Sequence, residues 1–242
     1  MILLNIVIFQ HIEFDDVAVF SEWASREGHT LQVCVPAEGI DPSLLEGADL
    51  LIILGSPLSV YQEDPPRWLS EEKAFVKQGI DQGIRVLGIC FGAQMLAELL
   101  GGSVFPNEEK EIGWHPICRT DEHHPWLEGL PAQFYSMQWH GDTFTLPEGA
   151  IPLAYSAACK TQAFSYGEHI VGLQFHLEHP AEVIEQMITA WHPGETKAPF
   201  IQTAEHIRAQ YGRCQTSLQM LQTILTNIQK QGSQKLKSTV IT

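Results

Sequence analysis

The sequence predicts an α/β fold: a mostly parallel central sheet with helices on both faces, plus a small C-terminal helical appendage. Three observations carry this. Short runs rich in Ile, Val and Leu alternate with amphipathic stretches. The run Asp49–Leu54 is nearly all apolar, as a strand buried on both faces requires. Strand–helix alternation implies right-handed crossovers between parallel neighbours.

The elements follow in order. Leu3–Phe9 reads as the first strand, because it lacks the basic region and small-residue cleavage site of a signal peptide. Asp16–Arg26 reads as a helix with Val17, Phe20, Trp23 and Ala24 on one face and Gly28 beyond its end. Leu31–Val35 and Asp49–Leu54 are strands, Pro66–Gly79 a helix and Arg85–Ile89 a strand. A helical pattern, Gly92–Leu100, follows directly and stops at Gly101-Gly102. The middle section changes character. Gly113–Arg119, Phe134–Trp139, Leu153–Ser156, Gln162–Tyr166 and Ile170–Phe175 are short strands, some of them antiparallel additions. A helix spans Ala181–Trp191, and two prolines and a glycine mark His192–Pro199 as a linker. Ile201–Tyr211 and Ser217–Gln229 read as helices, the second with an apolar stripe of Leu218, Leu221, Ile224, Leu225 and Ile228. That stripe must bury against the main body or a partner. Ser233–Thr242 reads as a disordered tail. The expected division is 1–191 for the main domain and 192–242 for the linker and helical extension.

Composition narrows the function classes. Lys and Arg number 14 against 29 Asp and Glu, a net charge of −15. Such a surface disfavours nucleic acid and anionic lipid. Six of the basic groups lie in residues 193–242, which hold only two acidic ones, so a positive tail follows an acidic body. No apolar run is long enough to cross a bilayer. Five cysteines at long spacings, with no C-x-x-C, form neither a disulfide framework nor a zinc knuckle, and suit a reducing, cytoplasmic setting. No metal or cofactor is expected.

Chemistry concentrates in two segments. In Gly88-Ile-Cys90-Phe-Gly92 an apolar strand ends at a cysteine and a helix begins at once. This G-x-C-x-G spacing is the thiol form of a nucleophile elbow, whose sharp turn excludes bulk two residues before and after the nucleophile. The helix N-terminus favours a thiolate, and the N–H of Phe91 points where an oxyanion would form. A lone buried cysteine is usually only a small apolar side chain; the flanking glycines set Cys90 apart. A thiol nucleophile needs a base. Ile170–Phe175 ends at His176, and Glu178 lies two residues on, where an extended chain points both side chains to the same side. Glu178 could then orient the imidazole. His176, Glu178 and His179 as a metal cluster is the weaker alternative, since no H-E-x-x-H or thiolate pair accompanies them.

Together, Gly88-Ile-Cys-Phe-Gly-Ala-Gln94 and Gln174-Phe-His-Leu-Glu178 resemble the class I glutamine amidotransferases. Leu54–Tyr61, Glu111–Trp114 and Gln138–Asp142 are similar to the stand-alone branch that resembles the amidotransferase domain of GMP synthase. The resemblance spans roughly residues 1–190. It implies a flavodoxin-like three-layer sandwich and a Cys90–His176–Glu178 triad. It also implies an oxyanion hole from Phe91 with Ser56 or Gly55, and substrate contacts from Gln94, Trp139, Gly141 and Asp142. The implied substrate is glutamine or a γ-glutamyl compound, and the implied partner a synthetase that accepts ammonia. Two departures stand out. Gly55-Ser56-Pro57 replaces the usual Gly-Gly-Pro, and Leu177 replaces the proline of H-P-E. No P-loop is present, so a complete GMP synthase is not expected. Three other readings compete: a γ-glutamyl peptide or amine hydrolase with the same triad, a non-catalytic module, and a DJ-1-like cysteine protein.

Overall fold

A computed structural model describes residues 3–13, 17–194 and 196–239, with side chains through 231. Nine strands form one sheet: β1 (Asn5–Phe9), β2 (Thr30–Cys34), β3 (Leu50–Ile53), β4 (Arg85–Ile89), β5 (Val104–Arg119), β6 (Gln133–Phe144), β7 (Ala150–Tyr155), β8 (Ala163–Tyr166) and β9 (Ile170–Leu173). The helices are α1 (Ala18–Glu27), α2 (Arg67–Asp81), α3 (Phe91–Leu99), α4 (Ala181–Trp191), α5 (Ala204–Arg208) and α6 (Arg213–Thr239).

The strand order is β2-β1-β3-β4-β9-β8-β7-β5-β6. The first five strands are mutually parallel, and every pairing from β9 outward is antiparallel. The sheet is therefore mixed, which corrects the mostly parallel sheet expected from the sequence. Between α3 and β9 the chain runs through hairpins rather than helical crossovers, and hairpins reverse direction. Gly113–Arg119 and Phe134–Trp139, read as short strands, are parts of the long hairpin β5–β6.

Strict alternation along the parallel strands divides the interior. Ile6, Ile8, Leu50, Ile52, Leu87 and Ile89 face one layer with Phe20 and Trp23 of α1. Val7, Phe9, Leu51, Ile53 and Val86 face the other with Phe75 and Val76 of α2 and Met95 and Leu96 of α3. Side chains on successive strand residues point to opposite faces, so both faces need a helical cover.

The apolar stripe of α6 completes the first layer. Leu221, Ile224, Leu225 and Ile228 are buried with Trp126, Leu127, Leu130 and Phe134. Polar bonds fix the register. Asn227 Nδ2 donates to the carbonyls of Trp126 (3.2 Å) and Glu128 (2.9 Å), and Arg85 donates to the carbonyl of Ile228 (2.8 Å). The segment Ile201–Tyr211 is shorter as a helix than its sequence suggests, with only Ala204–Arg208 helical. Residues 233–239, read as a disordered tail, continue α6, while 240–242 lie outside the described residues. Among the described residues no helix is long and apolar enough to cross a membrane.

His124 caps the short turn Pro125–Leu127 by accepting from the N–H of Trp126 (3.3 Å). Burial pushes its pKa down to about 4, so the folded protein keeps it neutral. The unfolded chain protonates this ring below about 6.5, whereas the native state resists until about 4. Stability should therefore fall as pH drops through that window. The slope is at most about 1 kcal/mol per pH unit once solvent screening is allowed for. Urea unfolding from pH 6.5 to 4.5 should show a shallower loss for His124→Asn, which keeps a capping acceptor. Identical slopes would remove His124 from the account.

Candidate active site

The parallel half of the sheet brings three strand ends together. β4 lies between β3 and β9, with Ile53 opposite Gly88 and Ile89 opposite Leu173. The chain leaves these strands at their C-terminal edge through Leu54–Ser56, Cys90 and Gln174–Glu178. Segments more than 80 residues apart in sequence thus become neighbours.

Cys90 has φ +53° and ψ −105°, and is the single non-glycine residue with positive φ among the described residues. That conformation costs on the order of 1–3 kcal/mol and persists only because its surroundings impose it. The Cys90 N–H donates to the carbonyl of Leu173 (2.7 Å). A Cβ on Gly88 would meet the Gly92 backbone at 2.5 Å, and one on Gly92 would collide with the carbonyl oxygen of Ile53. Both glycines are thus required for α3 to start this close to β3 and β4.

His176 follows β9. Its N–H donates to the carbonyl of Met137 (2.9 Å), and its own carbonyl accepts from Ser136 Oγ (2.8 Å). Its Nδ1 lies 2.5 Å from Glu178 Oε1. Glu178 Oε2 accepts from the N–H of Leu177 (2.8 Å), so both carboxylate oxygens are held. His179 stacks on the His176 ring, with centroids 4.5 Å apart, and its Nε2 lies 3.4 Å from Glu178 Oε1. Burial disfavours a charged His176 and is the largest single influence on it. The Glu178 carboxylate, and Cys90 beside the ring, together outweigh burial and raise the pKa well above its ordinary value. Burial likewise acts to raise Glu178, but His176 and His179 bring it down to about 2. His179, with burial dominant, is pushed down to about 4.

A cavity of about 540 Å³ opens over Cys90 and His176. Gly55, Ser56, Gln94, Trp139, Gly141 and Asp142 all line it. A Cβ on Gly55 would lie 3.2 Å from His176 Cε1 and 3.9 Å from Cys90 Cβ, which places this loop directly beside the pair. Gln94 is buried. Its amide nitrogen donates to Gln174 Oε1 (3.1 Å) and to the Asp142 carbonyl (3.5 Å). Phe91 and Glu178 lie outside the cavity lining: Phe91 is the first residue of α3, and Glu178 sits behind His176.

His11 and several side-chain pairings escaped the sequence reading. His11, just past β1, contacts the Gly55 carbonyl through Nδ1 (3.0 Å) and Glu72 through Nε2 (3.0 Å). It therefore ties the Gly55 loop to α2. Asp142 accepts from Ser59 Oγ (2.5 Å) and Tyr61 OH (3.1 Å), locking the 55–61 loop to β6. Glu111 Oε2 accepts from His140 (3.1 Å), Ser156 (3.0 Å) and Gln162 (2.6 Å). His140 Nδ1 also contacts the Asp142 carbonyl (2.9 Å). These are long-range pairs with no spacing signature; His11 alone had a cue, its position at a strand's C-terminal end. Two buried groups have donor atoms close enough to share a metal: His176, Glu178 and His179, and Glu111, His140 and Cys159. In both, the carboxylate already accepts hydrogen bonds from protein groups.

Fold and cavity together define an α/β enzyme with a cysteine at its centre. The glutamine amidotransferase class-I family matches residues 19–190, and the chain belongs to that family. It is 31% identical over 185 residues to the glutamine amidotransferase-like protein YfeJ of Salmonella typhimurium, covering 74% of this chain and 77% of that protein. It is 39% identical over 132 residues to the glutamine-hydrolysing GMP synthase of Thermomicrobium roseum, covering 53% of this chain but 23% of the synthase. The structure of a glutamine amidotransferase from Thermotoga maritima superposes with a TM-score of 0.83 at 26% identity, over 94% of this chain and 99% of that one. A second, from Methylobacillus flagellatus, gives 0.86 at 23% identity over 95% of each chain and supports the fold.

Proposed function

We propose that the protein hydrolyses the γ-amide of glutamine through a γ-glutamyl thioester on Cys90. The observation that carries this reading is the strained cysteine lining one cavity with a histidine whose Nδ1 is held by a buried carboxylate. His176 takes the thiol proton, and the thiolate forms a bond to the carbonyl carbon of the side-chain amide. The amide oxygen becomes an oxyanion facing the N–H groups of Phe91 and of Ser56 or Gly55. One such donor typically contributes about 2.7–4 kcal/mol to the barrier reduction. The C–N bond breaks as His176 returns the proton to nitrogen, and ammonia leaves. Water then attacks the thioester, giving its proton to His176, and glutamate departs as the sulfur recovers the electron pair. Glu178 holds the proton of His176 on Nδ1, so that Nε2 serves the sulfur. Residues 1–191 form the amidotransferase unit in this reading, and 192–242 a linker and helical extension. The ammonia goes to a synthetase-type acceptor, as the names of the GMP synthase relatives suggest.

A second reading keeps the chemistry and enlarges the leaving group to a peptide or amine. The cavity volume favours it, together with the apolar lining from Ile12, Leu58, Val183 and Met187, since both exceed what ammonia needs. One assay separates the two. Glutamine and γ-glutamyl dipeptides are incubated in parallel, glutamate is measured, and acid-quenched samples are searched by mass spectrometry for a γ-glutamyl adduct on the Cys90 peptide. Glutamate release with adduct from glutamine supports the first reading, and a strong preference for dipeptides supports the second. Turnover with no adduct on Cys90 under quench would sink the thioester.

A further inference from the structure

We propose that Lys110 recognises the α-carboxylate of the γ-glutamyl substrate and so determines specificity. The inference rests on the reaction proposed above. It begins with the register of the β5–β6 hairpin. Pro106 pairs with Asp142 and Glu111 with His140, so residues 107–110 lie opposite Gly141 alone. Bulges beside active sites re-aim side chains. This one is pinned: Asn107 Nδ2 donates to the carbonyls of Glu109 (2.8 Å) and Ala158 (2.9 Å).

The bulge lays the stem of Lys110 across Gly141. A Cβ at Gly141 would meet Lys110 Cε at 3.1 Å, Cγ at 3.3 Å and Cδ at 3.4 Å. The stem thus occupies the space that a side chain at 141 would fill, and Lys110 lines the cavity together with Trp139, Gly141 and Asp142. Lys110 is the one lysine or arginine lining that cavity among the described residues. Glu108 and Glu109 precede it and Glu111 follows it, yet no described residue forms an ion pair or hydrogen bond with its ammonium. Glu111 is turned inward to His140, Ser156 and Gln162.

An amino-acid headgroup carries one negative and one positive charge close together. Lys110 and Asp142 flank Gly141 with the complementary pair. On a chain of net charge −15, an incoming carboxylate meets an unfavourable overall field, which a local cation offsets. A lysine suits this task as a compact charge on a flexible stem with three donors.

The test compares wild type with Lys110→Met, which keeps the stem over Gly141 and removes the charge. Three amides are used: glutamine, glutaramate (no α-amino group) and 4-aminobutanamide (no carboxylate). For Lys110→Met, KM for glutamine and glutaramate should rise about 10- to 100-fold, the range for losing a hydrogen bond to a charged group. The kcat should change less than about threefold. Turnover of 4-aminobutanamide, followed with excess enzyme if slow, should be unaffected, and Lys110→Arg should restore most of the glutamine affinity. Inhibition by L-glutamate should weaken by the same factor as glutamine binding. Unchanged KM for glutamine, or equal losses on all three amides, would overturn the role of Lys110 while leaving the reaction intact. Absence of Cys90-dependent release from every amide in the wild-type protein would overturn the reaction and this inference with it.

Discussion

Cys90→Ala should lose at least about 10⁴-fold in glutamate release, or some 5.5 kcal/mol of barrier lowering, and still fold. The loss is large because sulfur supplies the bond to the amide carbonyl carbon. The remaining groups can only orient water and stabilise charge. Folding should survive because the thiol is small and the elbow is shaped by Gly88, Gly92 and the bond from the residue-90 N–H to Leu173. A companion variant probes the strain. Cys90→Gly removes the Cβ from a residue at φ +53°, so it should be at least as resistant to urea as Cys90→Ala while equally inactive. Activity within tenfold of wild type in Cys90→Ala would end every covalent mechanism proposed for this site.

Glu178→Gln should lower kcat by about 10²- to 10⁴-fold and leave KM within about threefold. The size follows from counting acceptors. The carboxylate accepts from His176 Nδ1 on one oxygen and from the Leu177 N–H on the other. An amide offers one oxygen and one NH₂ in their place. If its oxygen faces His176, the Leu177 N–H confronts a donor in a buried site. If it faces Leu177, the imidazole must carry its proton on the wrong nitrogen. The first arrangement costs stability, about 1–3 kcal/mol for an unsatisfied buried group, and the second costs rate. The negative charge that raises the pKa of His176 is lost in both. Steady-state kinetics with glutamine and a urea titration read the two costs separately. An unchanged kcat would show that Glu178 does not orient His176.

Much of the parallel half was legible because its signals are local. Strand β3 announced itself by four successive apolar residues, and the turn at Cys90 by glycines two positions either side. His176 and Glu178 stood out because an i, i+2 pair at a strand end shares a face. The antiparallel half was harder. Its strands are held by cross-strand partners such as Glu111 with His140, and neither residue reveals the other along the chain. The bulge at 107–110 exists only as a mismatch between two strands, so Lys110 looked like one charge in an acidic run.

The amino-acid order by itself determined which segments become strands and helices, where the backbone must bend at Cys90, and which imidazole and carboxylate travel together. It did so because propensity, periodicity and glycine freedom act over a few residues. Tertiary structure alone decided that β4 lies between β3 and β9. That neighbour relation gathers the Gly55 loop, the sulfur and the His176 ring at one sheet edge. It also decided that α6 closes the same layer as α1, and that His11 and Lys110 meet the cavity or its loops. Those choices depend on burying two faces of one sheet at once, which no local pattern encodes.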